Sequence, residues 1–330
     1  MVHAHLNRHD AISRIEARWA QTPSWRAQQR PYQAEDVVRL VPPSRPDLER
    51  ARAGARRFCQ LMETSTPSTP VPVALVRSAG QVLSCLQEKR ATISLVDDHE
   101  ALAPSANGVQ EAPLLTRIKR ISGALHRAAH REGGAATIAE QPPLVADTGV
   151  RLDSSLDIYQ AVLELIAAGA AGVILDSSSL QPDASLKPLN PELMIKRLIA
   201  AHLAADVLDA GTLILARTGS LGPAPSDDAI EQRFRPICQW GKQADVLILE
   251  LDCHDLDCTA RWVTAFKRQF PGKRFAYGGP IPPMPAFCRQ LETMGFALLM
   301  PPHPLAATSL KQATAGQPSR ASGDPDLPVR

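Results

Sequence analysis

The sequence predicts an α/β protein, a (β/α)8 TIM-type barrel preceded by an N-terminal helical extension. Eight short apolar runs follow one another along the chain, and nearly all are separated by stretches of helical periodicity. Several of these runs end on a charge: Pro143-Leu144-Val145-Ala146-Asp147, Val173-Ile174-Leu175-Asp176, Leu213-Ile214-Leu215-Ala216-Arg217 and Leu247-Ile248-Leu249-Glu250. A strand that is apolar on both faces must be covered on both sides, as in a parallel sheet wrapped by helices. Charges at the same end of such strands converge on one mouth, which in a closed barrel is the functional face. Alternating strands and helices also fit an open doubly wound sheet, so the count supports closure without proving it.

In chain order, residues 1–71 form an Arg- and Ala-rich extension and linker. It is broken at Thr22-Pro23 and Pro42-Pro43 and reads as short helices outside the barrel, followed by a Ser/Thr/Pro hinge from Glu63 to Pro72. The barrel is expected over 72–311. Its strands are predicted at Pro72–Ser78, Ala91–Asp97, Pro143–Thr148, Ala171–Ser177, Thr212–Thr218, Ala244–Leu251, Arg274–Gly279 and Phe296–Pro302.

The intervening helices carry their own signals. Ser154 and Ser155 offer a cap before Ile158, Val162, Leu163 and Ile166, and Gly169 closes that helix. Pro191 and Glu192 open the next, where Leu193, Ile195, Leu198, Ile199, Leu203 and Val207 make an apolar face and Gly211 ends it. Amphipathic runs also occupy Asp228–Lys242, Thr259–Phe270 and Pro285–Gly295. The connection between the second and third strands is long, holds a basic helix at Leu114–Arg131, and reads as a lid or substrate wall. The tail, 312–330, has no apolar period and is expected to be disordered.

Composition narrows the function classes. With 36 basic and 34 acidic side chains among 330 residues, nothing favours a nucleic-acid or membrane-surface partner. Basic clusters such as Arg50, Arg52, Arg56 and Arg57 read as the solvated face of a helix. Cys59, Cys85, Cys238, Cys253, Cys258 and Cys288 form no close C-x-x-C pair and read as reduced, mostly buried thiols of a cytoplasmic protein. No signal peptide and no apolar run of membrane-spanning length is expected.

Six segments then carry a resemblance: Tyr32-Gln33-Ala34-Glu35-Asp36-Val37-Val38, Pro143–Asp147, Ala167–Val173, Leu203–Val207, Leu215-Ala216-Arg217-Thr218 and Phe270–Tyr277. In this order, between about Arg30 and Leu305, they resemble isocitrate lyase, of the isocitrate lyase and phosphoenolpyruvate mutase superfamily. The resemblance implies magnesium-assisted retro-aldol cleavage next to a carboxylate. It assigns Asp147 to the family's metal aspartate and Asp176 to the acidic end of the next strand, both as Mg2+ ligands. Arg217 falls on the substrate-binding arginine of the A-R-T motif and Glu250 on the glutamate ending the following strand, both implied as substrate-binding. Read from the residues, the alternative for Arg217 is an internal salt bridge with Glu250 or Asp147, which the missing serine pocket favours. A small carboxylic acid is the implied ligand, and homo- or hetero-oligomers with related barrels the implied assembly.

The chain also departs from the family. The K-K-C-G-H loop, which carries the proton-transferring cysteine, should lie between Asp176 and Pro191, yet residues 177–187 contain neither cysteine nor histidine. The N-C-S-P-S motif is replaced by Gly278-Gly279-Pro280-Ile281-Pro282-Pro283, the S-G-W loop by Ser94-Leu95-Val96-Asp97, and the second metal-loop aspartate by Ser105. Catalytic residues are therefore unassigned, and loss of isocitrate cleavage is expected, because losing a general acid alone removes roughly two to four powers of ten in rate. Replacement chemistry from Cys253, His254, Cys258 or His99 is a weaker expectation, and Lys187 reads as a solvated lysine.

Overall fold

The computed structural model describes residues 2–26, 28–43, 46–64, 70–87, 93–97, 113–129, 141–149, 154–180, 186–223, 226–251, 255–279 and 285–301. The expectations for the Ser/Thr/Pro hinge, His99, Ser105, Cys253, His254 and the 312–330 tail fall wholly or mostly outside these residues.

All eight predicted strands form. They are β1 (Val71–Leu75), β2 (Ile93–Asp97), β3 (Leu144–Asp147), β4 (Gly172–Asp176), β7 (Leu213–Arg217), β8 (Val246–Glu250), β9 (Arg274–Gly278) and β10 (Leu298–Met300). Each pairs in parallel with its sequence neighbour among these eight, and β1 pairs with β10, so the barrel is closed. Closure leaves no sheet edge exposed, and so settles the choice between barrel and open sheet. The other two strands, β5 (Ser178–Leu180) and β6 (Leu186–Pro188), form an antiparallel hairpin where the sequence suggested only a loop.

Period-two alternation sorts the strand residues. Ile93, Leu95, Val145, Ile174, Leu213, Leu215, Val246 and Ile248 cluster inside the barrel, whereas Val96, Leu144, Val173, Leu175, Ile214, Leu247 and Leu249 pack outward against the helices. The helices of the N-terminal segment are α1 (Val2–Ala20), α2 (Ala34–Leu40) and α3 (Glu49–Thr64). α3 does more than lie alongside: Phe58, Leu61 and Met62 join the interior cluster. A Cβ added to Gly172 would come within 2.9 Å of the Phe58 ring, so this glycine is what lets α3 seat under the start of β4.

The crossover helices are α4 (Ala79–Gln87), α5 (Leu114–Ala129), α6 (Ser155–Ala167), α7 (Pro191–Leu208), α8 (Asp227–Trp240), α9 (Leu256–Gln269) and α10 (Pro285–Thr293). Ser154 caps α6 as expected, its Oγ accepting from the Asp157 amide at 3.1 Å. Ser154→Ala is expected to lower stability by about 1 kcal/mol, measured by urea unfolding.

Helix α7 departs from its predicted face. Leu193, Ile195, Ile199 and Leu203 are only partly buried, while Met194, Ala200, Ala201, Ala204 and Ala205 are buried. The reason is cover on two sides: α6 and the barrel pack one flank, and Val207 and Leu203 meet Ile15, Ala34 and Val37 of α1 and α2 on the other. The helix stops two residues before Gly211, at Asp209 in the left-handed region (φ 52°). Of the four cysteines whose side chains are described, only Cys258 is fully buried; Cys59, Cys85 and Cys238 are half-buried. No described helix is long and apolar enough to cross a membrane.

Candidate functional site

Strand alternation places Asp97, Asp147, Asp176, Arg217, Glu250 and Gly278 on the inner face, each at the carboxyl end of its strand. Four of them meet. Arg217 Nη2 donates to Asp147 Oδ2 at 2.6 Å, its Nη1 lies 3.6 Å from Asp176 Oδ2, and its Nε lies 3.6 Å from Glu250 Oε2. All four side chains are at most 5% exposed. The sequence-predicted tips thus form one ion cluster with the guanidinium at its centre.

The backbone holds this cluster in place. Asp147 Oδ1 accepts from the Gly149 amide at 3.1 Å, and Asp176 Oδ1 from the Ser178 amide at 2.8 Å, the first residue of the hairpin. Thr218 Oγ1 accepts from the Glu250 amide at 3.0 Å, so the threonine of the A-R-T segment aligns β8 beside β7. At Gly278, a Cβ would meet Glu250 Oε2 at 2.7 Å. The glycine that opens the segment replacing the N-C-S-P-S motif thus leaves the space in which the Glu250 carboxylate lies.

Electrostatically the cluster is unbalanced. Three carboxylates against one guanidinium leave a formal charge of minus two in a buried volume. Burial, opposed by Arg217 and reinforced by Asp147, pushes the Asp176 carboxyl above the usual range. Burial works against the Arg217 charge as well, but Asp147, Glu250 and Asp176 outweigh it and hold the guanidinium above its ordinary value. Arg217 Nε and Nη1 make no hydrogen bond, so two buried donors remain unspent.

Among the described residues no three His, Cys, Asp or Glu side chains stand in metal-holding geometry. The donor chemistry and the charge nevertheless fit magnesium, which prefers oxygen ligands and whose two charges would balance the cluster.

Sequence reasoning passed over one pair beside the cluster. Asp97 ends β2 opposite Asp147 in register, and Arg117 of α5 donates to the Asp97 carbonyl and lies 3.6 Å from its Oδ1. The signal was present, since Ile93-Ser94-Leu95-Val96-Asp97 is another apolar run closed by a carboxylate. Lys187 lies exposed on β6, away from the charge cluster's contacts.

No family model matches the chain. It is similar to the isocitrate lyase of Escherichia coli strain K12, with 26% identity over 313 residues, covering 81% of this chain and 71% of that protein. The fold matches that of 2,3-dimethylmalate lyase, a PEP mutase/isocitrate lyase superfamily member, with a TM-score of 0.54, 14% identity and coverage of 79% and 85% of the two chains. It also matches phosphonopyruvate hydrolase in complex with oxalate and Mg2+, with a TM-score of 0.52, 13% identity and coverage of 79% and 86%.

Proposed function

We propose that this protein is an isocitrate-lyase-like barrel whose mouth binds a divalent cation together with a small oxo- or hydroxy-acid, and which has lost the cleavage of isocitrate to glyoxylate and succinate. The observation that carries this reading is the buried Arg217 ringed by Asp147, Asp176 and Glu250 with two donors unspent. The adjoining residues 177–187 supply no cysteine or histidine to move a proton.

In this reading Asp147 and Asp176 hold Mg2+, which when bound polarises the oxygen functions of the ligand. Glu250 and Asp176 flank the guanidinium 3.6 Å from its Nε and Nη1, which make no hydrogen bond, and a ligand carboxylate is received by those two donors. Of the two serines that follow Asp176, Ser177 accepts through Oγ from the Gly219 amide at 3.0 Å, and Ser178 bonds the Asp176 carboxylate through its amide and its side chain. A serine hydroxyl is moreover a poor general acid beside a cysteine thiol. The role is therefore binding or regulation, in a cytoplasmic setting and in company with related barrels, and outside the turnover of the glyoxylate cycle.

The second reading is an active lyase using Mg2+ on isocitrate or another small oxo- or hydroxy-acid. It is favoured by the four charged tips remaining together at one point. Two measurements separate the readings. Purified protein with isocitrate and Mg2+ is expected to release no glyoxylate above a buffer control, and turnover would replace the first reading with the second. Calorimetry with Mg2+ plus oxalate, glyoxylate, oxaloacetate or succinate is expected to give saturable binding that Asp147→Asn removes. Absence of binding by any of these would overturn both readings.

A further inference from the structure

At the opposite end of the barrel, beneath the amino ends of the strands, lies a second charged cavity of about 520 Å3. Its walls come from four separate segments: Arg18 from α1, Arg26 from the turn after it, Arg52, Arg56 and Glu63 from α3, and Asp209 from the end of α7. We infer that this cavity is an anion site that takes a phosphoryl group, such as that of a small phosphorylated metabolite. The inference does not rest on the reading of the mouth.

Arg26 is neutralised from the inner side by Asp245 at 3.1 Å and donates to the Thr212 carbonyl at 2.7 Å, so it forms a fixed wall. Arg18 pairs closely with Asp209 and lies 3.4 Å from Asp206 Oδ1, while Arg52 donates through Nε to the Asp209 carbonyl at 2.9 Å and has its Nη2 3.9 Å from the Asp209 carboxylate. Arg56 makes no hydrogen bond or ion pair among the described residues.

Arg52 and Arg56 are four residues apart on α3 and face the same space, a like-charge arrangement that costs stability in an isolated helix. The sequence alone explains such a pair as a solvated face. The structure keeps Arg56 exposed and Arg52 half-buried, but sets both on the rim of an open cavity lined as well by Arg18 and Arg26. With Arg26 balanced by Asp245 and Arg18 held between Asp206 and Asp209, Arg52 and Arg56 face only Glu63 and the shared Asp209, which leaves the excess of positive charge at Arg56.

The ligand class follows from that excess. A phosphomonoester carries roughly minus 1.5 to minus 2 at neutral pH and offers three strong acceptor oxygens. That suits guanidinium forks converging from different directions, whereas a single carboxylate brings one charge and one plane.

The test is calorimetric titration of the full chain with inorganic phosphate at ionic strength held constant by KCl, with malonate as the dicarboxylate arm. Saturable phosphate binding is expected, weakened about tenfold by Arg56→Gln and more by Arg56→Glu, as loss of one charge-assisted contact implies. Asp147→Asn, at the mouth, is expected to leave it unchanged. The inference is overturned if KCl reproduces the phosphate effect, if Arg56→Glu leaves it intact, if Asp147→Asn removes it, or if malonate binds more tightly than phosphate.

Discussion

Arg217→Met is expected to destabilise the protein by about 3–5 kcal/mol, because removing one partner of a buried ion cluster strands the charges that remain. Here three carboxylates are stranded at once, each at most 5% exposed. That loss is comparable with the whole stability of many domains, about 5–15 kcal/mol. Without the guanidinium the three acids ionise less readily in the folded state than in the unfolded chain. Their destabilising contribution is therefore present at neutral pH and relieved as the pH falls and they take up protons. Urea unfolding of wild type and variant at pH 7.5 and pH 5 checks this, and the gap should narrow at the lower pH. Arg217→Lys should not restore stability, since one ammonium cannot span Asp147, Asp176 and Glu250 together. A loss under 1 kcal/mol at pH 7.5 would mean that Arg217 does not hold the mouth together.

The second large effect is at the other end of the barrel. Lys273 precedes β9, donates to the carbonyls of Lys242 and Ala244, and is brought from 10.5 to about 8 by burial, with Asp245 opposing the shift. The folded protein thus binds this proton less tightly than the unfolded chain does. The contribution to stability is fully present above pH 10.5, where both states are neutral, and is lost as the pH falls through about 8. Across that window the wild type should lose on the order of 3 kcal/mol relative to Lys273→Met, which carries no proton there. Alkaline titration of other groups is common to both proteins and cancels in the difference. The measurement is the wild-type minus variant gap in urea unfolding at several pH values from 7.5 to 10.5. A gap that does not change with pH would show that the Lys273 ammonium is as well solvated when folded as when unfolded.

The tips Asp147, Asp176, Arg217 and Glu250 were legible because a parallel strand buried on both faces is apolar to its last residue, and a charge there stands out. Asp97 carried the same mark but was read only as a departure from the family. The hairpin of β5 and β6 was not legible, because two three-residue strands in a serine-rich stretch have too few positions to display a period. α3 was read as an outside helix because its basic residues outnumber its large apolar ones. Nothing local shows that Phe58 and Met62 face the barrel interior while Arg52 and Arg56 face a cavity.

By itself the sequence determined the class of fold, the order and number of barrel strands, and which charged residues end them, since alternation and helical periods are properties of neighbouring positions. Only the tertiary structure decided closure, the seating of α3 under β4, the commitment of Arg217 to three carboxylates, and the gathering of Arg18, Arg26, Arg52 and Arg56 around one space. These depend on residues distant in the chain coming within a few ångströms, and the energy of a charge is set by what surrounds it in space.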